Sequence, residues 1–267
     1  MPHLLALSST GPPADADLLA RFAGTGDAAA FELLVRRHAP MVLAVCRRVL
    51  TDANDADDAF QATFLVLARK AGSVARREAL AAWLHRVACR AALRVRADRA
   101  RRTAREEPGA EHVPAPPVDP GLRELERVLD EEVAKLPERH RTAFVLCCLE
   151  GKTGEEAARL LGCPPGTLSS RLTRARERLR ARLTHRGFAP ALAAAALAAV
   201  AEEAAASALP ALIASTLLAA PDFAPGRGSG APSTRPAAVA EGVIRTMTAN
   251  KLKTLSLFFA AALLAVG

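Results

Sequence analysis

Tyrosine is missing from all 267 residues, and one tryptophan with nine phenylalanines brings the aromatic share to only 4%. Strands favour aromatic and β-branched residues, whereas the abundant alanine is the best helix former, so this shortage argues against a sheet. The five cysteines, Cys46, Cys89, Cys147, Cys148 and Cys163, contain no C-x-x-C pair. They sit in apolar stripes and read as small core fillers in a reducing cytoplasm, with neither disulfide nor metal site expected. No charged N-terminal segment followed by a long apolar run marks a secretory signal. No nucleophile–base set, zinc-water motif or catalytic carboxylate pair emerges, so no cofactor and no catalysed reaction are expected. Gly151, Lys152 and Thr153 spell the end of a P-loop. The earlier glycine it needs would fall at Leu146, and a helical apolar run stands where a strand should be.

What the chain has in excess is positive charge, formally +8 with a pI near 9.9. That favours a polyanionic partner, either nucleic acid or an anionic membrane face, and charge alone does not choose between them. Half the residues are apolar and 18 are proline, enough for two small helical domains separated by breaks.

The most informative stretch runs from Gly151 to Arg182. Thr153 and Glu156 have the spacing of a capping box. The short helix they start carries Ala157, Ala158, Leu160 and Leu161 and stops at Gly162. Pro164 and Pro165 forbid continuation and suit the first turn of the next helix. There Leu168, Leu172, Ala175, Leu179 and Leu183 form one stripe, with Arg171, Arg174, Arg176, Arg178, Arg180 and Arg182 off it. Two helices joined by a glycine turn, the second with small polar residues (Thr167, Ser169, Ser170) at its start, suit a helix-turn-helix entering a major groove. An arginine-coated hairpin without a ligand is the plainer alternative.

Three further stretches matter. In the first, Asp15 or Asp17 is expected to cap a helix with Leu18, Leu19 and Phe22, Asp27 the next, and Pro40 to bend or restart it; His38 reads as a partly exposed helix residue. In the second, T-D-A-N-D-A-D-D-A-F-Q-A-T-F, Asn54 is a plausible cap, and Asp55, Asp57 and Asp58 suit the positive end of a helix. The same carboxylates, flanked by Gln61 and Phe64, would also make an acidic docking face, and composition leaves both roles open. In the third, after Gly72, a helix with Leu80, Leu84, Val87, Ala88, Ala91 and Val95 on one face carries Arg86, Arg90, Arg94, Arg96, Arg99, Arg101 and Arg102 around it. This is a second basic footprint, independent of the helix-turn-helix. Trp83 reads more readily as a core anchor than as a stacking platform.

These motifs carry a resemblance. L-P-E-R-H-R-T-A-F-V-L from Leu136, with the block that follows, resembles region 4 of bacterial RNA polymerase sigma factors of the extracytoplasmic-function group, and D-A-x-D-x-x-Q-x-x-F resembles their region 2.2. The Trp83–Arg102 helix resembles regions 2.3 and 2.4. The resemblance implies an all-α initiation factor that catalyses nothing. It would grip core RNA polymerase through Asp55, Asp57, Asp58, Gln61 and Phe64. It would read the upstream promoter element through Pro165, Thr167, Ser169, Ser170, Arg171, Arg174 and Arg176, and help open the downstream element with Trp83, Arg86, Arg90, Arg94, Arg96, Arg99, Arg101 and Arg102. Cys89 and Arg90 replace a frequent asparagine, so promoter preference is not carried over. The alternative is a helix-turn-helix regulator that binds DNA without polymerase.

The expected organisation is a loose tail over 1–14, region 2 over 15–105, a proline-rich linker over 106–120 and region 4 over 121–186. An alanine-rich helical extension over 187–221, a Pro/Gly/Ser linker over 222–250 and an apolar segment over 251–267 follow. The last thirteen residues would reach only about 20 Å as a helix, short of a roughly 30 Å hydrocarbon core. They read either as a docked helix or as the start of a membrane anchor holding a cytoplasmic protein at the membrane. An anti-sigma protein is a further partner the resemblance allows.

Overall fold

The computed structural model describes residues 13–105, 120–199, 209–223 and 234–264, and no strand occurs among them. The tail before residue 13 and the linker over 106–119 lie outside the described residues. The helices are α1 (Asp15–Thr25), α2 (Ala28–Val49), α3 (Ala53–Lys70), α4 (Leu80–Thr103), α5 (Pro120–Ala134), α6 (Glu138–Phe144), α7 (Gly154–Leu160), α8 (Pro165–His185), α9 (Pro190–Ala199), α10 (Leu209–Phe223) and α11 (Arg235–Leu264). A π turn over Val145–Leu149 continues α6.

In the first module, α1 to α4, apolar residues at helical spacing close one core. Leu18, Leu34, Phe60, Phe64, Leu84 and Val87 are fully buried, and Phe60 meets Phe64 edge-on at 5.0 Å. The helix starts differ from expectation in two places. Asp52, not Asn54, caps α3, its carboxylate accepting from the Asp55 amide at 3.1 Å. Asp15 and Asp17 lie within the first turn of α1 and do not cap it. Asp27 caps α2 as expected. Pro40 neither ends nor restarts that helix, which runs through it; the residue is exposed, where water can satisfy the carbonyl that loses its partner.

The second module, α5 to α9, buries Leu125, Val128, Leu129 and Val133 of α5 against Phe144 and the stripe of α8. The alanine-rich α9 closes on α5 and α8, burying Ala193 and Ala196. α6 starts at Glu138, directly after Pro137.

The two modules are in contact, joined by buried charge. Asp130 of α5 accepts from Arg48 Nε of α2 at 2.7 Å and bonds His85 Nε2 of α4 at 2.9 Å. Burial opposes its charge, yet Arg48 and His85 outweigh that and hold the carboxyl below its usual range. His38 corrects its expectation outright. Fully enclosed, it places Nε2 at 2.9 Å from Asp15 and Nδ1 at 2.6 Å from Glu150 of the second module. Burial alone would lower its pKa, but the two carboxylates raise it to about 9.

Two boundaries at the C-terminal end also move. The Pro/Gly/Ser linker expected over 222–250 is interrupted, since α10 continues to Phe223 and α11 begins at Arg235. The apolar end continues α11 as one helix. Among the described residues no helix is long and apolar enough to cross a membrane.

Asp130→Ala would leave Arg48 buried without its carboxylate and is expected to cost roughly 3–5 kcal/mol, read from urea denaturation. His38 makes a pH-dependent contribution. Its folded pKa stands above the free imidazole value of 6.5, so the stabilisation is complete below that pH and is lost as pH climbs through about 9. Urea midpoints of wild type and His38→Asn should therefore differ most near pH 6.5 and converge near pH 9.5.

Candidate nucleic-acid interface

The helix-turn-helix is assembled locally. The Thr153 amide donates to Glu156 Oε2 at 2.8 Å and the Glu156 amide to Thr153 Oγ1 at 3.2 Å, the reciprocal capping box the spacing implied. Gly162 adopts a φ of 57°, a conformation a side chain would strain, and Pro165 opens α8. Leu168, Ala175, Leu179 and Leu183 are buried, with Leu172 half-buried beside them.

The opposite face of α8 is left to solvent. Pro165, Ser169 and Ser170 stand exposed at its N-terminal end with Thr167 half-buried, and Ser170 donates its hydroxyl hydrogen to the Thr167 carbonyl at 3.0 Å. Arg174, Arg176, Arg178 and Arg180 are exposed and Arg171 is half-buried. Among the described residues no carboxylate forms an ion pair with any of these five; Arg176 reaches only Cys148 Sγ, at 3.7 Å. Arg182 and Arg186 instead turn to Glu132. Arg178 and Arg180 stand exposed on the same helix as the expected contacts, off the buried stripe as their spacing implied. His140 lies beneath this surface, its pKa lowered by burial and by Arg178, Arg139, Arg174 and Arg171.

The α4 track is different, and the expectation of a second, independent basic footprint is corrected. Arg94 and Arg101 pair with Asp98, and Arg99 pairs with Asp52 at 3.2 Å and Asp55 at 2.9 Å. Arg96 approaches Glu131 of the second module at 3.9 Å. Arg102 is exposed. Arg86 and Arg90 lack a carboxylate partner among the described residues but are half-buried where α4 meets the second module, and burial together with Arg86 lowers the pKa of Arg90. Trp83 is half-buried against the core and lines a cavity of about 330 Å³ with Lys70, Arg76, Arg86, Arg141 and Met247. The track therefore meets two modules and α11 at once.

The five docking residues do not form one open surface. Asp57 is half-buried, and loss of water pushes its pKa up. Burial does the same to Asp58 despite Arg235. Asp55 is buried between Arg99 and Arg235, and Gln61 Nε2 donates to Ser215 of α10 at 2.9 Å. Phe64 has no accessible surface, which corrects its place on an outward face; here it supports α3 from within.

Residues 34–103 match the Sigma-70 region 2 family and residues 126–179 match Sigma-70, region 4. The ECF RNA polymerase sigma factor SigM of Mycobacterium tuberculosis is 38% identical over 167 residues, 62% of this chain and 82% of the relative. The ECF RNA polymerase sigma-E factor of Haemophilus influenzae is 34% identical over 164 residues (57% and 86%). The RNA polymerase sigma-H factor of Pseudomonas aeruginosa is 32% identical over 164 residues (57% and 85%). A helical module with an acidic α3 and a basic α4, followed by a helix-turn-helix module, defines a sigma-type transcription initiation factor. Within that class the chain belongs to the extracytoplasmic-function RNA polymerase sigma factors. It acts with core RNA polymerase in promoter recognition and transcription initiation and is not an enzyme. Neither family match reaches α9, α10 or α11.

Proposed function

We propose that α8 reads the upstream promoter element, that α4 helps hold the opened downstream element, and that α3 docks core polymerase in the cytoplasm. The observation that carries the reading is the α8 surface, a polar helix start followed by five arginines that no carboxylate claims among the described residues. Side chains at the N-terminal end of such a helix can reach base edges while its arginines neutralise phosphates. Pro165, Thr167, Ser169 and Ser170 take the first role. Arg171, Arg174 and Arg176, joined by Arg178 and Arg180, take the second.

In α4, Arg86, Arg90, Arg94, Arg96, Arg99, Arg101 and Arg102 would follow the backbone of the unpaired strand. Trp83 would present a face near its bases. Arg94, Arg99 and Arg101 are paired within the first module and Arg96 with Glu131 of the second, so the role requires these carboxylates to give way to phosphate. Energy for opening then comes from tighter binding to the single strand than to the duplex, because no nucleotide is hydrolysed by the chain itself. The carboxylates of Asp57 and Asp58, with Gln61 beside them and Asp55 behind, are the proposed polymerase contacts.

On a short random-sequence duplex, Arg174→Ala with Arg178→Ala should flatten the plot of log affinity against log salt by about 2, one for each phosphate no longer neutralised. An unchanged slope would remove α8 from the DNA interface. In a pull-down with core polymerase, Asp57→Arg with Asp58→Arg should abolish most retention. Retention equal to wild type would overturn the α3 assignment.

A further inference from the structure

Outside both sigma-family matches, α10 and α11 lie across the face formed by α2, α3 and α4. Their contacts are specific as well as apolar. The Arg235 guanidinium places one nitrogen 2.5 Å from Asp55 Oδ1 and the other 2.8 Å from Asp58 Oδ2. Ser215 accepts from Gln61. Arg69, at the far end of α3, donates to the Phe223 carbonyl at 2.7 Å and lies 4.7 Å over the Phe223 ring, with Glu241 3.8 Å away. The apolar side is continuous with the first module's core: Leu212, Ile213 and Phe223 of α10, with Val239, Ala240 and Val243 of α11, join the same buried cluster as Phe60 and Phe64. At Gly242 there is no side chain, and the Arg94 guanidinium fills the space where a Cβ would otherwise sit.

We propose that α10 and the first part of α11 (residues 209–223 and 235–247) are a built-in competitor of core RNA polymerase, closing the chain by occupying the α3 face with which it docks. The inference rests on the docking assignment made above. Three of the four proposed docking side chains, Asp55, Asp58 and Gln61, are bonded to the extension, and the same helices reach the basic track through Gly242 and Arg94. One face cannot hold both partners. Polymerase would therefore meet only the fraction of molecules whose extension has lifted, and its apparent dissociation constant rises as that fraction falls.

The test uses the full chain and purified core polymerase. Arg235→Glu sets a third carboxylate against Asp55 and Asp58 while leaving every proposed docking residue in place. It is expected to bind polymerase about tenfold more tightly than wild type, with a helical circular-dichroism spectrum and cooperative melt showing that it is folded. In a second arm, hydrogen exchange follows the wild-type chain alone and with polymerase. Amides over 209–223 and 235–247 should lose protection on binding, while α3 keeps it. Equal affinity of a folded Arg235→Glu chain, or an extension equally protected in the complex, would overturn the proposal and leave α3 docking intact. Failure of both chains to bind polymerase would overturn the docking assignment and the proposal with it.

Discussion

With 36 basic and 28 acidic side chains, the protein cannot give every cation a carboxylate. Which acids are enclosed, and by whom they are shared, governs the arrangement of its parts. Asp130 is shared by Arg48 and His85, and Asp55 by Arg99 and Arg235. Glu132 is shared by Lys135, Arg182 and Arg186. Each of these carboxylates receives partners from a second element, so each is also a joint. Their partners hold Asp130 and Glu132 below the usual carboxyl range despite desolvation, which makes such joints hard to replace piecemeal.

The arginines left over are distributed unevenly, and this separates the two surfaces proposed to face DNA. Those of α8 project from a helix whose own acid, Glu177, pairs with none of them. Those of α4 other than the exposed Arg102 are drawn into ion pairs with Asp52, Asp55, Asp98 and Glu131, or half-buried near the second module and α11. In the proposed role of α4, a surface that receives phosphate only after the duplex opens is thus occupied by internal substitutes beforehand. Exchange of an internal carboxylate for a phosphate keeps each guanidinium paired, so the transition does not demand that charges stand bare in between. The helix-turn-helix, by contrast, needs no rearrangement to meet duplex DNA.

Much of this was legible in the chain. The capping box of Thr153 and Glu156, the stop at Gly162 and the proline start of α8 are local devices. Their partners lie within four residues, so spacing alone reveals them. The apolar stripe of α8 was equally readable because helical periodicity names the buried face before the neighbour is known. The misses have a common cause. Asp52 takes the cap of α3 because the chain enters that helix two residues earlier than the polar run suggests. His38 looked like a surface residue since its partners, Asp15 and Glu150, lie 23 and 112 positions away. Phe64 looked outward because α10 and α11, which share its cluster, are distant in sequence.

Sequence by itself determined the all-helical class, the two family-matched modules, the helix-turn-helix geometry and the excess of arginine, because each follows from neighbours within a few turns or from composition. Only tertiary structure decided which arginines remain available and that the extension covers α3. Both depend on long-range competition for a limited set of carboxylates, whose outcome is fixed by which side chains the fold brings within ion-pairing distance and by how far it excludes water from them.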